Sequence, residues 1–229
     1  MRRLSLAAVI AAGAARIAAA QESLDFLNAD RETTAQVTRI MESVKAANLP
    51  TGPVVATARR AVQVHAPPPR LIAALQAVAS RLEAARSALG PASPEADILA
   101  GQDALSTKGV TTDMLHLIRA AQPHRSVAVP LGVMAQLVAS GVAPKQAVEI
   151  VSRLAKANAT AKQLADLGNE VSEDVIAGAG AASALQIRLE TLRPLLSFGA
   201  APGLATDAAP SGLTNGASGT GPKNPRGRP

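Results

Sequence analysis

The chain has 229 residues, is 48 % hydrophobic, 17 % charged and 1 % aromatic, and carries a formal charge of +6 with no cysteine. Zero cysteine excludes disulfides, thiolate zinc sites, cysteine nucleophiles and a lipidated N-terminal Cys. Alanine supplies 51 residues, Trp and Tyr are absent, and Phe occurs only at 26 and 198, so there are no rings for base or sugar stacking and no Trp/Tyr interface anchors.

The charge sits at the two ends. Without residues 1–20 the chain loses Arg2, Arg3 and Arg16 and falls to +3. Without residues 197–229 it also loses Lys223, Arg226 and Arg228 against the single acid Asp207, and falls to +1. A near-neutral body gives no case for a nucleic-acid partner, despite the high pI.

The N-terminus reads as a secretory address. Arg2 and Arg3 form a positive n-region, Leu4 to Ala15 an apolar run, and Ala18-Ala19-Ala20 a small-residue exit, which predicts a signal peptide over 1–20 cleaved after Ala20. Twelve apolar residues are too few to span a bilayer, which needs about 20. The mature chain is expected to start at Gln21 and to be periplasmic or secreted, with no transmembrane segment.

Helical periodicity runs through the rest, and no alternating strand pattern occurs. Over 30–47, Val37, Ile40, Met41 and Val44 share one face, with Asp30 as N-cap. Pro53 opens a second helix that runs to about Val64. The third, 69–89, carries a stripe of Leu71, Leu75, Val78, Leu82 and Leu89, and Gly90 ends it. Ser93-Pro94-Glu95 then reads as N-cap, N1 proline and first-turn acid. Gly109-Val110-Thr111 precedes Met114, Leu115, Leu117 and Ile118. Gly141-Val142-Ala143-Pro144 precedes Val148, Val151 and Leu154, with Glu149 and Arg153 ordered as an i,i+4 pair. Asn158-Ala159-Thr160 precedes Leu164 and Leu167, and Thr160 with Gln163 makes a capping box. Val171-Ser172 is expected to start a further helix, with Glu173 and Asp174 in its first turn, where the macrodipole favours acids.

One module recurs: a small or turn residue, an apolar residue, then Pro, Ser, Thr or Ala, then a helix. Its apolar position steps by 17 from Leu49 to Ala66, 18 from Ala92 to Val110 and 17 from Val142 to Ala159, with longer steps of 26 and 32 between. The expected fold is all-α, eight to ten short helices packed as hairpins over residues 21–196. It is either a short α-solenoid or an irregular bundle using common caps. Residues 197–229 carry seven Gly and five Pro from 199 onward and are expected to be a disordered basic tail.

No site for chemistry is assigned: catalytic, cofactor-binding and metal residues are all expected to be none. Gly178-Ala179-Gly180-Ala181-Ala182-Ser183 imitates a dinucleotide fingerprint, but no strand precedes it, and position 200, about where an acid is due, is alanine. It reads as a break between two helices. Asp113 and His116 lie at i,i+3 without a second ligand pair, and His65 and His124 fall elsewhere. Arg59-Arg60 and Arg119 with His124-Arg125 are the densest basic spots and read as solvated helix edges. No G-x-S-x-G elbow, phosphate loop, H-E-x-x-H or EF-hand pattern occurs.

The stretches Leu49-Pro50-Thr51-Gly52-Pro53-Val54-Val55, Arg119 to Ser126 and Val129 to Val133 are similar to alanine-rich exported all-helical proteins of Gram-negative bacteria, over Ala47 to Leu196. That resemblance carries no activity, cofactor or site residue with it. The expected function is non-catalytic: an exported helical scaffold or adaptor that binds another envelope protein. The alternative is a periplasmic carrier of an apolar small molecule or lipid, held in a cleft of Ala, Val and Leu. An enzyme built around Asp113, His116 and His124 is the third reading.

Overall fold

The computed structural model describes residues 30–194, and the expectations for residues 1–20 and 197–229 fall outside them. Nine helices and no strand occur among the described residues: α1 (Arg31–Ala46), α2 (Gly52–Gln63), α3 (Pro68–Leu89), α4 (Glu95–Ser106), α5 (Thr112–Ala121), α6 (Ala128–Ala139), α7 (Pro144–Lys156), α8 (Ala161–Ile176) and α9 (Ala181–Thr191). None is long and apolar enough to cross a membrane.

The recurring module is a helix end followed by a helix start. Asn48, His65, Gly141, Asn158 and Gly178 all sit at positive φ, between 51° and 101°. After each, the next residue donates its backbone N–H to the carbonyl five residues back: Leu49 to Val44, Ala66 to Ala61, Val142 to Leu137, Ala159 to Leu154 and Ala179 to Asp174. This is the Schellman geometry, which satisfies carbonyls left over at a helix C-terminus. The apolar residue of the module is therefore the one that folds back onto its own helix. At four of the five places the following residue is already the N-cap of the next helix: Pro67, Ala143, Thr160 and Gly180.

Consecutive helices pack unevenly: α3 with α4, α6 with α7 and α8 with α9 pack closely, while α4 with α5 and α7 with α8 barely touch. From α4 to α8 the N-caps are Pro94, Thr111, Val127, Ala143 and Thr160, steps of 17, 16, 16 and 17. Two helices make one repeat, and 94 to 127 to 160 is 33 residues twice. Helices one repeat apart pack side by side, α4 on α6 on α8 and α5 on α7, while α3 borders α4, α5, α1 and α2. Side chains bond across the same interval: Gln136 Nε2 to Asn169 Oδ1 at 3.1 Å, Arg125 Nη1 to Asn158 Oδ1 at 3.3 Å, and Gln122 Nε2 to the Ala155 carbonyl at 3.4 Å. Ile98, Leu131 and Leu164, like Ile118 and Val151, are buried at positions 33 residues apart. Each fully buried leucine or isoleucine contributes about 2 kcal/mol by leaving water. Between the two expected architectures, this geometry is that of stacked hairpins.

Three local expectations change. The 32-residue step hid α6, whose start lies midway between Val110 and Val142. No helix starts at Val171-Ser172: α8 begins at its Thr160 capping box and runs on to Ile176, because Leu164, Leu167, Val171 and Val175 keep the helical period past Gly168. Glu173 and Asp174 thus stand in a last turn, against the macrodipole. Ser93 does not cap α4; it is the residue before the N-cap Pro94, and its hydroxyl donates to the Leu89 carbonyl at 2.7 Å.

Candidate functional site

α5 ends and α6 begins without the chemistry used elsewhere. Gln122 and Val127 supply neither a left-handed residue nor a side-chain cap. The polar groups freed at this corner are met from α4. Asp97, in its first turn and fully buried at 0 % exposure, accepts from the backbone N–H of Val127 and of Ala128 at 3.1 Å each, and from Ser126 Oγ at 2.6 Å. Its second oxygen accepts from Arg119 Nη2 on α5. A carboxylate over two amides at a helix start is an N-cap supplied from another helix, with the dipole in its favour.

Arg119 performs the matching task at the end of α5. Its Nη1 donates to the Gln122 and Arg125 carbonyls at 3.4 and 2.9 Å, and its Nη2 also reaches Ser93 Oγ at 3.4 Å. The side chain is 19 % exposed, and its Nε is buried without a partner. Arg119 is thus not the solvated edge that its neighbours in sequence imply. Arg125 is exposed but ties the corner to the next one through Asn158. Outside this cluster lies an open cleft of about 350 Å³, lined by Ser93, Arg119, Pro123, His124, Arg125 and Ser126.

Chemically the cluster points inward. Asp97 meets an arginine, a serine and two amides, and the Ser126 hydroxyl hydrogen is committed to the carboxylate. The arrangement closes helix ends and neutralises a buried charge.

The histidines and Asp113 singled out by sequence are all exposed: His65 in the α2–α3 connection, Asp113 and His116 on α5, and His124 in the α5–α6 loop. Among the described residues no group of three His, Cys, Asp or Glu converges to hold a metal. The glycine pair is the connection between α8 and α9: Gly178 takes positive φ and Gly180 is an N-cap.

Arg188 on α9 answers one of the misplaced acids of α8, Asp174. It binds Asp174 through Nε and Nη2, each at 2.7 Å, and Glu170 through Nη1 at 3.1 Å. These hydrogen bonds hold the Asp174 carboxyl below the usual carboxylate range and raise the guanidinium further.

Sequence reasoning overlooked Asp97. One signal was present: Asp97, Gly101 and Ala104 recur at helical spacing, all buried, so the acid lies on the core stripe. Comparison with known protein families, curated proteins and solved structures finds no match to this chain.

Proposed function

We propose that this protein is a non-catalytic exported scaffold or adaptor whose stacked helices bind another protein of the cell envelope. The observation that supports this most is the 33-residue stack, in which helices α4, α6 and α8 and helices α5 and α7 lie side by side in register. Repeated hairpins present extended surfaces, and partner binding along such a surface is their usual use. The best-built polar cluster, around Asp97, is committed to the fold. Export rests on the signal pattern of residues 1–20, and membership among alanine-rich exported helical proteins belongs to the same proposal.

Two measurements test it. The intact mass of protein from the periplasm of its host should match a start at Gln21; a full-length, cytoplasmic mass overturns export. Photo-cross-linkers placed at the exposed residues Leu117, Glu149 or Arg153 should then trap one discrete envelope protein, and Leu117→Asp should abolish the adduct without changing helicity. Adducts no stronger than background, or insensitive to that substitution, overturn the adaptor role.

A further inference from the structure

Arg119, His124 and Arg125, the densest basic spot of the sequence, line the open cleft of about 350 Å³ outside the Asp97 cluster, and no carboxylate lines it with them. The cleft lies between the α3–α4 connection and the α5–α6 loop, with Pro91, Pro94 and Pro123 as stiff walls. The nearest acids are accounted for. Asp97 is fully buried and Arg119 is 19 % exposed, so their ion pair is a dipole with its positive end toward the cleft. Glu95 lines an adjoining cleft with Arg86. Arg125 has the neutral Asn158 on one nitrogen, and no carboxylate among the described residues pairs with it.

The loop that carries these cations is held ready. The Arg125 carbonyl accepts from Arg119 Nη1 at 2.9 Å, and its backbone N–H donates to the Gln122 carbonyl at 3.4 Å, so little ordering is left for a ligand to impose. We propose that this cleft takes an acidic segment of the partner protein, with an Asp or Glu carboxylate against Arg125 and His124 and the chain lying along the prolines. This site rests on the adaptor reading above and supplies the chemistry of what the adaptor recognises. A carboxylate on a guanidinium is a charge-assisted pairing, and the planar fork suits it. The cleft is open, which admits side chains from a passing chain, whereas a small ligand needs walls that enclose most of its surface.

The test titrates full-length protein into a dye-labelled tetraglutamate peptide and into its tetraglutamine counterpart. Anisotropy should rise to saturation with the glutamate peptide alone. Arg125→Glu should weaken binding about tenfold, and Arg125→Gln, which keeps the bulk, should weaken it less and in the same direction. The control Lys145→Glu makes the same charge change at an exposed residue of α7 and should weaken binding by about twofold at most. Equal losses in the control would mean diffuse attraction to the positive charge of the chain and would overturn the site. A benzophenone on the peptide should label residues 89–94 or 123–126, and labels elsewhere overturn it too. Inorganic phosphate that displaces the peptide at matching concentration would make the cleft a site for free small anions and overturn the peptide assignment. The assay needs no envelope protein, so its failure overturns this cleft alone, while the cross-linking from Leu117 decides the adaptor role separately.

Discussion

Two corners of the stack occupy the same place one repeat apart and are held by opposite means. At α7–α8, everything is local: Asn158 takes the left-handed conformation, Ala159 closes the Schellman bond, and Thr160 with Gln163 forms a complete capping box. At α5–α6, none of these is present, and Asp97 and Arg119 supply the caps instead, Asp97 from 30 residues away. A helix end must satisfy its free amides and carbonyls, but it is indifferent to where the partners come from.

The comparison can be broken first at the long-range corner. Asp97→Ala strips the part-buried Arg119 of its charge partner and leaves two amides uncapped, so it should cost about 3 kcal/mol in urea unfolding. A loss below about 1 kcal/mol would mean that water reaches the corner and the cluster is dispensable. Thr160→Ala removes only one local cap and should cost about 1 kcal/mol in the same assay. A cost equal to that of Asp97→Ala would erase the distinction between the corners. Arg125→Ala cuts the exposed bond to Asn158 that joins the two, and should cost at most about 0.5 kcal/mol. A larger loss would show that the ladder at repeat spacing stabilises the stack beyond its apolar core.

The smallest effect is one of pH. Asp174 has a depressed folded-state pKa, caused chiefly by its hydrogen bonds to Arg188. Its contribution to stability is therefore present above the unfolded pKa of about 3.9 and disappears as pH falls through the lower folded value. Asp174→Asn should flatten the fall of Tm below about pH 4 while leaving the slope near neutrality unchanged. An identical acid slope in the variant would show that Arg188 does not stabilise the carboxylate.

The local corner was legible residue by residue. Asn158-Ala159-Thr160 announces a helix end and a helix start, and the capping box follows from spacing alone. The stripe of Leu71, Leu75, Val78 and Leu82 likewise locates α3 to within a residue. The α5–α6 corner was illegible because Val127-Ala128-Val129-Pro130 has no capping residue of its own, so α6 vanished into an unexplained 32-residue step. Glu173 and Asp174 misled for a related reason. Acids mark a helix start only where no tertiary cation answers them, and Arg188 answers Asp174, together with Glu170, from the next helix. Arg119 looked solvated because sequence shows its basic neighbours and not the buried carboxylate it meets.

By itself the sequence determined the helices and most of their joints, because periodicity, proline and left-handed residues act over a few positions and leave a local record. The tertiary structure decided which helices lie side by side, that the spacing is a 33-residue repeat, and that Asp97 is a cap rather than a surface acid. Those outcomes depend on groups about 30 residues apart meeting in space. Burial makes each such meeting strong, and no local pattern encodes it.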